Sequence, residues 1–138
     1  MTSPASGYLP EVGSQFREIV RISEDLVRSY IAVCGDDAPV HLDAEFARTK
    51  GFDGPICHGM LLGSFVSTVL GTRLPGRHSV IKTIARKFRN AVTYPCTVQF
   101  EIQVVKVFES VGMVRLEIVI LSEHGVLLGD GTAECIVK

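Results

Sequence analysis

The chain has 138 residues, 46% of them hydrophobic and 21% charged, the composition of one folded domain rather than of a disordered segment. Lys and Arg total 14 against 15 Asp and Glu, and this near balance argues against nucleic acid as the main partner. The longest uncharged apolar stretch, Gly59 to Thr72, falls short of the about twenty residues that a membrane-spanning helix needs. A mean hydropathy of +0.29 therefore points to apolar surface hidden in an oligomer.

Residues 1–13, MTSPASGYLPEVG, carry neither a positive start nor an apolar run, so a flexible polar leader is expected there and not a signal peptide. The folded domain is then 14–138. Cys34, Cys57, Cys96 and Cys135 show no CxxC spacing, and reduced thiols in a cytoplasmic protein account for them most simply.

Gln15 to Ile22 alternates and is expected to be a strand. Ser23 has the character of an N-cap for a helix from Glu24 to about Val33, with Glu24 and Asp25 suited to its positive end and Gly35 ending it. A short helical piece capped by Asp43 follows. The spacing predicts a long helix over Pro55 to Gly71, apolar nearly all round and therefore buried on almost every side. Gly59, Gly63, Ser67 and Gly71 recur every fourth residue, so one slowly drifting stripe of small residues admits a close neighbour. After Pro75-Gly76 the period changes to two. Ser79 to Arg89, Thr97 to Phe108, Met113 to Ser122 and Val126 to Val137 each read as strands, with a hairpin turn at Glu123-His124-Gly125. One buried helix followed by an antiparallel meander implies an α+β domain with the sheet curled round the helix.

Polar residues gather where the helices meet the loop. Asp36 and His41 lie five apart on a loop, and a carboxylate held near an imidazole can share and activate a water. The Gly59 amide opens a buried helix, where a free N–H and the helix dipole both favour an anionic oxygen. Two proton-handling groups beside such a donor suggest chemistry next to a carbonyl. A GxSxG elbow, a glycine-rich phosphate loop and an established metal-ligand spacing are all missing, so neither metal nor cofactor is expected.

At this point the motifs become specific. Gly35-Asp36-Asp37-Ala38-Pro39-Val40-His41 resembles the G-D-x-N-P-x-H motif of the MaoC-like dehydratases, a family that includes the (R)-specific enoyl-CoA hydratases. Ile56-Cys57-His58-Gly59-Met60-Leu61 resembles the family's I-x-H-G-M-L, and Leu74-Pro75-Gly76 its L-P-G exit. The resemblance implies a single hotdog domain, an antiparallel sheet wrapped round a long central helix, paired as a homodimer. It implies reversible syn addition of water to a trans-2-enoyl thioester, carried by coenzyme A or an acyl carrier protein, giving the (R)-3-hydroxyacyl thioester. Under it, Asp36 and His41 activate the water, the Gly59 amide polarises the thioester carbonyl, and Ser67 hydrogen-bonds within the catalytic site. His58, Met60 and Gly63 are candidate substrate-binding residues on the same segment. The family's Asn is Ala38 here, which removes a loop-fixing amide and keeps a non-catalytic acyl-thioester binder, beside a thioester hydrolase, among the alternatives.

No Asp or Glu occurs between Gly54 and Phe100, whereas Arg73, Arg77, Lys82, Arg86, Lys87 and Arg89 do. Arg86 and Lys87 are therefore further substrate-binding candidates, as a patch for coenzyme A phosphates or an acidic carrier protein.

Overall fold

In the computed structural model, residues 6–138 are described. Ser23 caps α1 (Glu24–Cys34) by accepting the Leu26 amide at 3.1 Å, and Gly35 ends it in the left-handed region at φ 77°. Asp43 caps α2 (Ala44–Thr49) in the same way, accepting from Phe46 N–H. The long helix is α3, Gly59–Thr72. It begins four residues later than expected, because Pro55 to His58 run extended and Ile56 bridges to Thr93.

The strands are β1 (Gln15–Ile22), β2 (Ser79–Phe88), β3 (Cys96–Phe108), β4 (Met113–Ser122) and β5 (Leu127–Val137). They form one antiparallel sheet in the order β1-β3-β4-β5-β2, so β1 and β2 are its edges. Alternation decides which face is inward. Val98, Phe100, Ile102 and Val104 of β3 and Val114, Leu116, Ile118 and Ile120 of β4 are all buried, and they meet Leu61, Leu62, Val66, Val69 and Leu70 of α3. Phe65 of the helix packs on Phe100 of the sheet with ring centroids 5.8 Å apart. This is the expected helix cradled by an antiparallel sheet.

A bulge sits in β2. Its register against β5 shifts between Ile81 and Thr83, with Ile81 opposite Cys135 and Ile84 opposite Ala133. Both partners are buried, so Lys82 is the extra residue and the strand's phase inverts after it. Arg86 and Phe88 consequently share the helix side with Ile84. Without the bulge they would face outward.

Two expectations change. The helix is buried on one side only: Met60 is 62% exposed, and Ser64, Ser67 and Thr68 are exposed too, because the sheet reaches only one flank. The expected leader is anchored over its described part, with Tyr8 stacked on His78 at 3.7 Å, Leu9 packed against the core and Gly13 N–H donating to Val104. Residues 1–5 of that leader lie outside the described residues. Among the described residues, no helix is long and apolar enough to cross a membrane.

Candidate active site

The loop between α1 and α2 is fixed by its own backbone. Asp36 Oδ1 accepts from Ala38 N–H at 3.3 Å, and Ala38 carbonyl accepts from His41 N–H at 3.0 Å. Ala38, although it has no amide side chain, thus joins Asp36 and His41 through its main chain. The loop is also tied sideways: Ile56 N–H donates to Val40 and Cys57 N–H to Val92.

His41 Nδ1 is 2.8 Å from the Ile56 carbonyl, so it carries the proton there and a neutral ring leaves Nε2 unprotonated. Tyr94 O–H donates to the His41 carbonyl and fixes the residue from the other side. Burial holds the Tyr94 phenol above its ordinary range, which keeps it a donor. Asp36 Oδ2 lies 3.9 Å from His41 Nε2, beyond a hydrogen bond.

His58 is the buried partner of this pair. It is 2% exposed, its Nε2–H donates to the Asp36 carbonyl at 2.9 Å, and its ring stacks on His41 with centroids 3.7 Å apart and planes 22° apart. Tyr30 meets its edge at 5.0 Å. Asp36, His41 and His58 each bring one metal-ligating atom within 4.8 Å of the others. Stacked imidazoles aim their in-plane lone pairs side by side rather than at one point, and His58 Nε2 is already spent on a carbonyl. The trio holds the loop through these bonds, and a carboxylate beside two imidazoles is a set of groups able to exchange protons.

His58 is also the N-cap of α3 and makes no capping bond with its side chain, so the first amides of the helix are left free of it. Gly59 suits this end for a second reason, since a Cβ there would stand 2.5 Å from the Phe88 ring. The free helix start opens on a cavity of about 380 Å³ bordered by Asp36, His41 and Gly59 and walled by apolar Leu62, Val92 and Leu128. Cys57 lies in its wall, but burial pushes that thiol up to about 12, far from a ready nucleophile.

The structure therefore gathers Asp36, His41, His58, Gly59, Met60 and Arg86 round one cavity. It does not bring Ser67 there. Eight residues along α3 from Gly59, that hydroxyl lies about 12 Å further up the helix, and it is exposed. Gly63 is reached indirectly, as the floor beneath Arg86. Arg86 and Lys87 do not form one patch, because adjacent strand residues face opposite ways: Arg86 turns into the cavity and Lys87 to the outer face. Tyr94, Phe88 and Val92 were not singled out from sequence, and no local motif marks them.

The residues 9–122 match the MaoC like domain family. The chain belongs to that family. It is 35% identical over 128 residues to an (R)-specific enoyl-CoA hydratase of Aeromonas caviae, covering 93% of this chain and 94% of that one. A 3-hydroxyacyl-[acyl-carrier-protein] dehydratase of Arabidopsis thaliana mitochondria is 34% identical over 66% of this chain and 54% of its own. Among solved structures, the (R)-hydratase from A. caviae involved in PHA biosynthesis superimposes with a TM-score of 0.89 at 33% identity, over 94% of this chain and 98% of that one. An R-hydratase of Pseudomonas aeruginosa in its unliganded form gives 0.87 at 31% identity over 98% and 85%. The fold is the hotdog fold of these neighbours, as the motifs implied.

Proposed function

We propose that this chain is a hydro-lyase that adds water reversibly to trans-2-enoyl thioesters and forms (R)-3-hydroxyacyl thioesters. One observation carries the reading: Asp36 Oδ2 and His41 Nε2 face each other across 3.9 Å, beside the uncapped start of a helix in an apolar cavity. A water between Asp36 and His41 reaches both. His41 Nε2 takes its proton while the oxygen attacks the β-carbon, and the π electrons move onto the thioester carbonyl. The Gly59 N–H and the helix dipole receive the resulting enolate oxygen, a contribution of about 3 kcal/mol to the barrier. The pair then returns the proton to the α-carbon from the same face, so hydroxyl and hydrogen add syn. The general acid–base part of this is worth about a hundredfold to ten-thousandfold.

His58 acts in this scheme by positioning Asp36 and His41, and Met60 and Leu62 by enclosing the acyl chain. The carrier enters past Arg89, which borders the cavity and is held by Asp130 at 3.1 Å. Its charge suits the phosphates of coenzyme A or the acidic face of a carrier protein. A second copy covers the free edge of β2, where Val80, Ile84 and Phe88 are exposed, and the bare flank of α3 with Met60 and Ser67. Incubation with crotonyl-CoA tests the activity. Loss of the enoyl absorbance with formation of the (R)-3-hydroxy thioester supports it; release of free thiol, or binding with no change in the chromophore, contradicts it.

A further inference from the structure

Arg86 borders the cavity, yet the hydration chemistry gives it no task. Its Nη1 donates to the Gly59 carbonyl at 2.8 Å. Its Nε and Nη2 are buried and have no acceptor among the described residues. None of the ion pairs among the described residues includes it: the neighbouring acids Asp130 and Glu134 are taken by Arg89 and Arg115. Room for the guanidinium comes from glycines, since a Cβ on Gly63 would stand 3.1 Å from Nη1 and one on Gly129 3.1 Å from Nη2. The bulge at Lys82 is what turns Arg86 inward.

A half-buried cation with two unpaired donors is costly, and the cost falls when a ligand brings both acceptors and negative charge. Nε–H and Nη2–H are parallel and side by side, the fork that pairs bidentately with a carboxylate. Because Nη1 holds the carbonyl of the residue whose amide would receive the thioester oxygen, this fork lies close to the reacting end of a bound acyl group. We propose that Arg86 makes the acyl cavity an anion subsite, so that the acyl groups this chain selects are short and carry a distal carboxylate. The inference rests on the thioester reading of the same cavity. On binding, rotation about the terminal torsions of Arg86 gives up the Nη1 bond to the Gly59 carbonyl and turns the fork from the glycine slot into the cavity.

Saturated thioesters test it, because they cannot be hydrated and so report binding whether or not the chain turns over enoyl substrates. Titration calorimetry on the full chain compares glutaryl-CoA with hexanoyl-CoA, which share the carrier and a similar acyl length. The wild type should bind glutaryl-CoA at least about tenfold more tightly. Arg86→Met should bring the ratio to about one, and Arg86→Lys, which keeps charge but loses the fork, should leave it in between. Equal or weaker binding of glutaryl-CoA by the wild type overturns the proposal, and would mean that the fork is already filled, as by a carboxylate of a second copy. An unchanged ratio in Arg86→Met overturns it too, and so does an equal loss for both ligands, which would place the guanidinium on the carrier's phosphates.

Discussion

Replacing His58 by Phe separates what this residue does for the site from what it does for the fold. Phe keeps an aromatic ring on His41 and removes both nitrogens, and its larger ring costs about 1–3 kcal/mol of overpacking at this 2% exposed position. Loss of Nε2–H takes away the bond to the Asp36 carbonyl, which contributes about 1 kcal/mol net. That carbonyl lies on an exposed loop, so water replaces the donor at little further cost. Loss of Nδ1 acts in the opposite direction, because this nitrogen is buried with no partner among the described residues, and removing an unsatisfied buried polar atom returns about 1–3 kcal/mol. The overpacking and the relief at Nδ1 offset each other, and the sum predicts a variant within about 1 kcal/mol of the wild type. The loop that carries Asp36 is nevertheless released, and a displacement on the order of 1 Å at a catalytic group costs about a hundredfold in rate. Urea unfolding and steady-state hydration of crotonyl-CoA measure the two effects on one preparation. A variant that keeps wild-type kcat, or one that loses several kcal/mol of stability, would refute this account of His58.

Tyr94→Phe removes the donor to the His41 carbonyl; kcat should fall about tenfold with KM little changed, for a stability loss of about 1 kcal/mol, read from the same two assays. Alkaline unfolding reports Cys57. Burial raises its pKa from 9.0 to about 12, so the folded state favours the neutral thiol, and its contribution is complete below pH 9.0 and lost as pH rises through about 12. Cys57→Ala should flatten the fall of Tm across that window, although Cys135, raised to about 11, preserves part of it. The second copy proposed at β2 predicts sedimentation at twice the 15.0 kDa chain mass, and the paired change Val80→Glu with Ile84→Glu should yield monomers.

Several features were legible because they depend on near neighbours in the chain. Ser23 and Asp43 cap their helices as read, β1 and β4 begin and end where their alternation does, and Asp36 and His41 come within 3.9 Å because only four residues separate them. What escaped depends on contacts across the chain. Tyr94 lies 53 residues from the carbonyl it holds, and although His58 is a candidate in the sequence, the carbonyl it binds is 22 residues away. Ser67 belongs to the small-residue stripe but lies two turns too far along it. The stripe itself meets Phe88 and Arg86 at its first turns, while Gly71 faces open space. Pairing Arg86 with Lys87 ignored the alternation that had identified their strand, and the bulge at Lys82, which decides which of the two faces inward, leaves no mark in the periodicity.

The proposed chemistry rests on Asp36 and His41 acting together on one water. Turnover of crotonyl-CoA by the wild type, Asp36→Asn and His41→Ala, with circular dichroism confirming the fold of each, measures this directly. The wild type should form the (R)-3-hydroxy thioester, and each variant should lose about a hundredfold to ten-thousandfold in kcat while remaining folded. A wild-type rate in either folded variant would contradict the account.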